Sequence, residues 1–316
     1  MSGARRLIVV PALHPAHDVI VRVDDIAPGV SQRVASDAVF AGVGGKAVNV
    51  ALAIASMRMP VRLVVCGDES LLAGLRRHGA RLPELELLAF PSPVPTRTDI
   101  ALVDASGRLS VINTTGLDPG ASVVDQVSAA ALDGVEAGDI VVLAGSTPDG
   151  TATAHATIAR AATSRGAHVV VDASGNALSF LLDTRPKVVK ISADEAAEVA
   201  AGGGVLDPRR LPALDAVPVL GITDGAAGLR AWLEDGRAVR VLPPPDVRVV
   251  ATLGAGDAVT AGVAIALARG DDPLEGFVLG TAMAASTLDH LDPSVVPGAV
   301  DQLRSVVRVI PLEASP

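Results

Sequence analysis

From Asp118 onward the chain alternates between two hydrophobic patterns. Short unbroken runs of Val, Ile and Leu predict strands buried on both faces, and longer stretches with apolar residues at helical spacing predict helices. The predicted strands are Ile140–Leu143, His168–Val171, Val188–Ile191 and Val217–Ile222, and the predicted helices are Ser122–Leu132, Ala152–Ser164, Ala193–Ala200, Gly256–Ala268, Leu274–Leu288 and Val295–Val306. This alternation predicts an α/β fold with a central, mainly parallel sheet covered by helices on both faces.

The segment before Asp118 has a different pattern, with short strands around one helix, Lys46–Met57. The predicted strands are Leu7–Val10, Val19–Val23, Arg33–Phe40, Arg62–Cys66, Asp99–Val103 and Arg108–Ile112. Several of these do not fit the strand–helix alternation, so we expect a small β-sheet lid with strands within about residues 17–40 and 97–113. The sequence has no internal repeat or low-complexity linker, and we expect residues 1–316 to form a single domain.

The composition restricts the partners that the protein can bind. Hydrophobic residues make up 49% of the 316 residues and aromatic residues only 2%, which argues against base stacking on aromatic platforms. The formal net charge is −9, which argues against a nucleic-acid surface because such a surface needs clustered Lys and Arg. A local positive pocket can still bind an anionic small molecule.

Cysteine content and the length of apolar runs bear on location. The single cysteine, Cys66, allows no internal disulfide, and its apolar neighbours predict buried packing. The apolar run Leu7–Val10 is far too short for a secretory signal, and no run approaches the ~20 apolar residues of a membrane helix. We therefore expect a cytoplasmic protein that has no membrane partner.

The segment Thr252–Ala258 (Thr-Leu-Gly-Ala-Gly-Asp-Ala) precedes a long helix rich in Ala and Val. Gly254, Ala255 and Gly256 would leave backbone N–H groups open at a helix start, where the helix dipole favours an anion. Asp257 would repel that anion, but it fits a base that takes a proton from a hydroxyl attacking a phosphoryl group. A tight turn capped by an aspartate explains the same residues equally well.

The segment Gly42–Ala51 (Gly-Val-Gly-Gly-Lys-Ala-Val-Asn-Val-Ala) leads into the first predicted helix. Gly44 and Gly45 allow a ligand to approach the backbone, while Lys46 and Asn49 share one helix face. These groups can bind sugar hydroxyls or a phosphate. The spacing also matches a dinucleotide fingerprint, but that motif should follow the first strand of a βαβ unit and have an acidic residue ~20 positions further on, which this segment lacks.

Three further residues gain a role only from their context. Asp18 follows the first strand, where a carboxylate can accept hydrogen bonds from two sugar hydroxyls, although a turn residue is the commoner explanation. Arg97 precedes a lid strand and can bind phosphate oxygens bidentately, although most single arginines are solvated surface residues. Glu195 can orient Mg²⁺ through water, although the helix dipole also favours an acidic residue in a first helical turn.

Together these segments resemble the ribokinase-like (PfkB) carbohydrate kinases over nearly the whole chain. Gly44–Ala51 resembles the first signature of that family, and Thr252–Asp257 with the helix after it resembles the second. Further segments resemble the branch of 1-phosphofructokinases and tagatose-6-phosphate kinases: Ala12–Asp18, Pro28–Val34, Thr96–Arg97, Ala144–Pro148, Asp172–Gly175 and Val189–Lys190. The resemblance implies a ribokinase-like α/β sandwich with a β lid, ATP and Mg²⁺, a phosphorylated hexose as acceptor, and often a homodimer joined through the lids.

The resemblance also implies a role for each matching position. The base and the anion hole would be formed by Asp257, Gly254, Ala255 and Gly256. The sugar and its own phosphate would be held by Asp18, Gly44, Gly45, Lys46, Asn49, Arg97, Arg33 and Ser146. The nucleotide would be lined by Lys190, Ser192, Thr223, Gly225 and Gly228, and Mg²⁺ would be placed by Glu195.

These inferences lead to one main hypothesis, ATP-dependent phosphorylation of a hexose phosphate. Fructose 1-phosphate and fructose 6-phosphate are the favoured acceptors, and tagatose 6-phosphate is a further candidate. One alternative is a kinase of an unphosphorylated sugar or nucleoside, from which a requirement for Arg97 would distinguish the main hypothesis. The other is a non-catalytic sugar-phosphate sensor, because Ser192 and Asp224 depart from the family pattern on the nucleotide side.

Overall fold

The computed structural model describes residues 6–25, 29–105, 107–148, 151, 153–199 and 212–312. The strands in this part of the chain are β1 (Ile8–Ala12), β2 (Ala16–Arg22), β3 (Val39–Gly44), β4 (Val61–Gly67), β5 (Leu85–Pro91), β6 (Arg97–Val103), β7 (Leu109–Asn113), β8 (Ile140–Ala144), β9 (His168–Asp172), β10 (Val188–Ser192), β11 (Val219–Thr223), β12 (Leu229–Trp232), β13 (Ala238–Leu242) and β14 (Arg308–Pro311). The helices are α1 (Lys46–Ser56), α2 (Glu69–Gly79), α3 (Ala121–Leu132), α4 (Ala154–Ser164), α5 (Gly175–Leu182), α6 (Ala193–Val199), α7 (Pro212–Asp215), α8 (Ala255–Arg269), α9 (Pro273–Thr287) and α10 (Pro297–Arg304).

Ten of the described strands form the main sheet, in the order β14-β13-β12-β11-β10-β9-β8-β1-β4-β5. The strands from β11 to β5 are parallel, and β12, β13 and β14 extend the sheet as antiparallel neighbours. Every residue of β1 and β8 is buried, because both faces of the sheet are covered. The predicted fold class, a mainly parallel sheet between helices with a smaller sheet beside it, is confirmed.

The side chains of the central strands divide between two hydrophobic cores. Ile8 and Val10 of β1 pack into the core that also contains buried residues of α1, α8 and α9. Val9, between them, packs into the second core with residues of α3, α4 and α5. This alternation follows from the two-residue period of a strand. Helix α8 thereby lies on one face of the sheet, with its first turn beside the carboxyl ends of the parallel strands.

The small sheet has four strands in the order β3-β2-β6-β7, in which β2 and β6 pair in parallel. Ile20 and Ala101 of this sheet pack against Ala251 and Leu253, which lie just before α8. The small sheet is therefore anchored next to the start of α8. Strands β6 and β7 lie within the second region predicted for a lid, and β2 lies almost entirely within the first, but β3 extends four residues beyond it to Gly44. The role of this sheet as a lid and the assignment of residues 1–316 to one domain stay predictions.

One predicted strand was largely wrong, and several elements were missed, among them strand β5 and helix α5. The segment Arg33–Phe40 is not a strand over most of its length, because pairing with β2 begins only at Val39 and residues Ser36–Ala38 form a short 3-10 helix. The early part of the chain has a second helix, α2, whose first turn is capped by Asp68 accepting from the backbone N–H of Leu71 at 2.9 Å. The antiparallel strands β12 to β14 were also missed.

Two expectations about single features can be compared directly with the structure. Cys66 is buried, as predicted, and burial raises the pKa of its thiol to about 11. In the part of the chain that is described, no helix combines the length and the apolar composition that crossing a membrane requires.

Candidate active site

A cavity of about 520 Å³ lies between the small sheet, the start of α1 and the first turn of α8. Seven of the predicted site residues line it: Asp18, Gly45, Lys46, Asn49, Arg97, Ser146 and Asp257. It also contacts the loops that follow β8 and β9, which places it beyond the carboxyl ends of the parallel strands, the usual ligand position in such sheets. The fold thus brings the two glycine-containing segments to one place.

Asp257 lies in the first turn of α8 and is held by a side chain from α1. Gly254 starts this helix in the left-handed conformation, and a Cβ on it would lie 2.7 Å from Cβ of Pro293, so the turn requires glycine. Asn49 donates from Nδ2 to Oδ2 of Asp257 at 2.9 Å. Burial, and then the charge of Asp172, raise the pKa of Asp257 to about 6. A carboxylate with this pKa is well matched to accepting a proton near neutral pH.

Asp18 is buried in β2, and its carboxyl group rests against Gly44. A Cβ on Gly44 would lie 1.9 Å from Oδ2 of Asp18, so only glycine permits this contact. The backbone N–H of Gly45 donates to the same carboxyl group. Burial, followed by the charges of Asp99 and Asp257, raises the pKa of Asp18 to about 7. Near neutral pH this group can therefore both donate and accept hydrogen bonds.

A buried cluster of charges beside Asp257 joins α1, β9, β10 and α8. Asp172, at the end of β9, is fully buried and accepts from three side chains: Lys190 Nζ at 2.7 Å, Lys46 Nζ at 3.2 Å and Thr260 Oγ1 at 2.6 Å. Burial opposes ionisation, but the two ammonium groups prevail and lower the pKa of Asp172 to about 2. Lys190 also lies against the start of α8, since a Cβ on Gly256 would be 3.1 Å from its Nζ.

Lys46 contacts two carboxylates from outside the small sheet. Its Nζ lies 2.9 Å from Oε1 of Glu195, in addition to its contact with Asp172. Burial alone would lower the pKa of Lys46, but the neighbouring carboxylates outweigh it and hold the pKa above its usual value. The expected contact of Lys46 with the acceptor's own phosphate stays a prediction, and its position here indicates a different partner.

Glu195 and Ser192 form a capping box at the start of α6. Oε2 of Glu195 accepts from the backbone N–H of Ser192 at 2.8 Å, and Ser192 Oγ accepts from the backbone N–H of Glu195 at 3.2 Å. These contacts agree with the alternative given for Glu195 in the sequence analysis, an acidic residue in the first turn of a helix. The other carboxylate oxygen of Glu195 faces Lys46.

The carboxylates near Lys46 are compatible with a divalent cation that arrives with a nucleotide. Among the described residues, no cluster of three or more His, Cys, Asp or Glu could hold a metal ion by itself. Mg²⁺ needs only one or two carboxylates when phosphate oxygens and waters complete its shell. Asp172 and Glu195 are bridged by one ammonium group, so positive charge is already favourable between them.

The residues predicted to line the nucleotide lie at the ends of β10 and β11. Ser192 and Thr223 are partners in the parallel register of these strands. The turn that follows contains Gly225 and Gly228, with φ angles of 48° and 88°. A Cβ on Gly228 would lie 2.3 Å from the carbonyl oxygen of Val241, so the close return of β12 depends on this glycine. These residues do not belong to the lining of the 520 Å³ cavity.

Arg97 begins β6 and contacts the protein through two nitrogens. Its Nη1 pairs with Asp99, and its Nε donates to the carbonyl oxygen of His14 at 3.4 Å. Ser146 lies beside it in the cavity wall, with Oγ 2.9 Å from Nδ1 of His14. Arg33 is exposed and does not line the cavity, so its predicted contact with the acceptor stays a prediction.

Two residues that organise the site were not assigned a role from the sequence. Asp172 directly follows a predicted strand, and its position at a carboxyl strand end was a usable signal. Asp99 gains its position only because β2 and β6 pair in the small sheet, which no local pattern indicates.

Comparison with known proteins identifies the family of the chain. The sequence profile described as "pfkB family carbohydrate kinase" matches residues 16–295. This chain is a pfkB family carbohydrate kinase. It is also 31% identical over 321 aligned positions to a 1-phosphofructokinase of Rhodobacter capsulatus, with 98% of both chains covered.

Solved structures agree with the pfkB family fold. A possible 1-phosphofructokinase from Thermotoga maritima has a TM-score of 0.84 at 20% identity, covering 97% of this chain and 100% of the other. Phosphofructokinase-2 from Escherichia coli in complex with substrates and products has a TM-score of 0.83 at 21% identity, covering 95% and 98%. Family membership makes this carbohydrate kinase a phosphotransferase, and it implies ATP as donor with a metal requirement.

Proposed function

We propose that this carbohydrate kinase transfers a phosphoryl group from Mg·ATP to a hydroxyl of a hexose phosphate. Fructose 1-phosphate and fructose 6-phosphate are the first candidates, and tagatose 6-phosphate is the third. The observation that carries the proposal is the convergence, in one cavity, of a buried carboxylate at a helix start, Asp257, with a carboxyl group and an arginine on the small sheet, Asp18 and Arg97. The named 1-phosphofructokinase relative supports the acceptor class.

Asp257 is the proposed general base. Its raised pKa leaves it largely ionised at neutral pH while keeping it basic enough to accept the proton of an attacking hydroxyl. The hydrogen bond from Asn49 fixes one carboxylate oxygen, so the other can face the acceptor. Asp18, across the cavity wall, would hold neighbouring hydroxyls of the sugar and thereby select which one reaches the base.

The start of α8 is the proposed anion hole. The first N–H groups of a helix have no partner within the helix, and the segment Gly254 to Gly256 presents them beside Asp257. Lys190, next to Gly256, would add positive charge where the phosphoryl group moves. Because Lys46 shares Asp172 with Lys190, we assign Lys46 to the transferred phosphoryl group and not to the acceptor's own phosphate.

The nucleotide and its metal would occupy the side where β10 and β11 end. Ser192, Thr223, Gly225 and Gly228 lie there, and Glu195 with Asp172 would hold Mg²⁺ next to Lys46. When bound, Mg²⁺ supplies charge neutralisation for the phosphate oxygens. The small sheet, anchored at Ala251 and Leu253, would exclude water from the cavity so that ATP is not hydrolysed.

The proposed reaction is tested by a coupled ADP-release assay with Mg·ATP. The acceptor panel is fructose 1-phosphate, fructose 6-phosphate, tagatose 6-phosphate, fructose, ribose and adenosine. We expect saturable turnover with one phosphorylated hexose. Asp257→Asn should lower kcat by about 10² to 10⁴, the usual contribution of a general base. Asp301→Asn, an exposed aspartate on α10, is the matched control and should retain full activity. An Asp257→Asn enzyme with unimpaired turnover would refute the assignment.

Each of the two alternative functions is supported by one specific observation. Arg97 is already paired with Asp99, which favours an unphosphorylated acceptor. Arg97→Met decides this question, because it should raise KM about 10-fold or more only for a phosphorylated acceptor. A sensor is favoured by the capping box that occupies Ser192 and Glu195, and binding of a sugar phosphate without any turnover would support it.

We further propose a cytoplasmic homodimer that associates through the small sheets. Apolar side chains on these strands and on the segment before β3 are exposed: Val30 (64%), Val39 (39%) and Ile112 (57%). Burying such side chains between two copies would remove apolar area from water. Light scattering should show a dimer for the wild type and a monomer for Ile112→Lys, and a monomeric wild type would contradict the proposal.

A further inference from the structure

Asp99 lies in the acceptor cavity without a part in the proposed chemistry. It is the direct partner of Asp18 in the parallel register of β2 and β6, and Asn113 of β7 lies on its other side. Residues paired in this way face the same side of a sheet, and Arg97, two positions before Asp99, shares that side. Asp18, Arg97 and Asp99 therefore project toward the same cavity, which all three line.

The guanidinium group of Arg97 is bound by Asp99. The side chains of Arg97 and Asp99 are 10% and 16% exposed, so water screens their pairing only weakly. Burial raises the pKa of Asp99, and the charge of Arg97 and the nearby backbone N–H of Thr114 act in the opposite direction. A phosphate group that approaches Arg97 must therefore displace or share this carboxylate.

Apart from Arg97, the other charged residues in the cavity wall do not neutralise the negative charge of Asp99. The described charged residues of the lining are Asp18, Lys46, Arg97, Asp99 and Asp257. Lys46 is held by Asp172 and Glu195, which leaves Arg97 as the cation beside two carboxyl groups of the small sheet. After burial, the charge of Asp99 is the next largest cause of the raised pKa of Asp18, in agreement with the closeness of the two groups.

We propose that Asp99 is a specificity-determining residue, which competes with the acceptor's phosphate for Arg97 and so limits the preference of the enzyme for a phosphorylated sugar. The proposal rests on the proposed function, since it assigns a charge preference to the same acceptor site. While Asp99 is ionised, a phosphorylated acceptor gains less from Arg97 than it would gain from an unpaired guanidinium group. An uncharged acceptor is not subject to this competition.

Asp99→Asn tests the proposal because it keeps the shape of the side chain and a hydrogen-bond acceptor for Arg97 but removes the charge. We expect KM for the phosphorylated acceptor to fall about tenfold, equivalent to about 1.4 kcal/mol. The ratio of kcat/KM for phosphorylated over unphosphorylated acceptor should rise by a similar factor. Asp289→Asn is the matched control, because Asp289 pairs with Arg248 at the surface, and it should leave both quantities unchanged.

A binding measurement separates this proposal from the proposed reaction. Calorimetric titration with inorganic phosphate should show a Kd about tenfold lower for Asp99→Asn than for the wild type. In the double variant Asp99→Asn with Arg97→Met, this tenfold gain in phosphate affinity should disappear. Phosphate bound at the start of α8 would not depend on Arg97, so this loss shows that the measured phosphate binds beside Arg97. Tighter phosphate binding without turnover of any acceptor would support the role of Asp99 and contradict the kinase reaction. Unchanged or weaker binding of phosphate by Asp99→Asn, or by Asp99→Ser if the first variant does not fold, would overturn the proposal.

Discussion

Replacing Gly44 by alanine would displace the carboxyl group of Asp18 in the proposed acceptor site. Gly44 ends β3, beside β2, and its backbone lies against the carboxyl group of Asp18. A Cβ at this position would be 1.9 Å from Oδ2 and 2.0 Å from Cγ of Asp18, distances that real Cβ atoms essentially never show. The carboxyl group must therefore leave its place, or the two strands must separate.

The size of the effect follows from the contacts at risk. A hydrogen bond to a charged group is worth about 1.5–3 kcal/mol, so losing one between Asp18 and a sugar hydroxyl should raise the acceptor KM about 10- to 100-fold. Overpacking in a buried place costs about 1–3 kcal/mol of the free energy of unfolding, and about 2–4 °C of melting temperature accompanies each kcal/mol. KM for ATP should stay the same, since Gly44 does not touch the donor side.

Steady-state kinetics and thermal melting of Gly44→Ala measure both effects. The matched control is Gly298→Ala in α10, where an added Cβ meets no atom within 4 Å and the backbone is helical. That variant should have wild-type kinetics and an unchanged or slightly higher melting temperature. An acceptor KM within twofold of wild type in Gly44→Ala would refute the reasoning, because it would mean that the position of Asp18 does not matter for the acceptor.

Three further predictions concern charges in the site. Turnover should fall about tenfold per pH unit below pH 6, because Asp257 must be ionised to accept a proton, and a pH–rate profile that is flat down to pH 5 would contradict this. Asp18→Asn should raise the melting temperature more at pH 8 than at pH 5. Folding raises the pKa of Asp18 from 3.8 to about 7, so the folded state binds the proton more tightly and loses stability as pH rises between these values; equal shifts at both pH values would exclude this effect. Lys46→Met should lower kcat equally for phosphorylated and unphosphorylated acceptors in steady-state kinetics. An increase in KM for phosphorylated acceptors alone would show instead that Lys46 binds the acceptor's own phosphate.

The parallel core could be predicted from the sequence because burial on both faces leaves an uninterrupted apolar run. The predicted strand Val188–Ile191 differs from β10 by one residue, and the predicted helix Gly256–Ala268 differs from α8 by one residue at each end. Helix α2 was missed although Leu71, Leu72 and Leu75 give it an apolar face, because its other positions are mostly polar. The strand predicted at Arg33–Phe40 was placed too early, because only Val39 and Phe40 of this segment pair with β2.

The candidate site was predictable where one local segment carries a chemical function, and not where the function depends on pairing between distant segments. Asp257 and Asn49 each belong to a recognisable segment, and the structure joins them by a hydrogen bond. Asp99 depends on the register between β2 and β6. The partners of Lys46 lie 126 and 149 residues away in the chain, so no spacing rule could have predicted these two contacts.

The distribution of buried charge also bears on the choice between a kinase and a sensor. A sugar-phosphate sensor needs the acceptor residues of the small sheet, but it has no use for the buried group formed by Asp172, Lys190 and Lys46. Burying these three charges is costly, and their mutual pairing offsets that cost only in part. Lys190 lies against Gly256. Burial and then the charge of Asp172 raise the pKa of Asp257, while the ammonium groups of Lys46 and Lys190 act in the opposite direction. Since perturbed ionisable groups concentrate where proton transfer takes place, this arrangement favours phosphoryl transfer over binding alone.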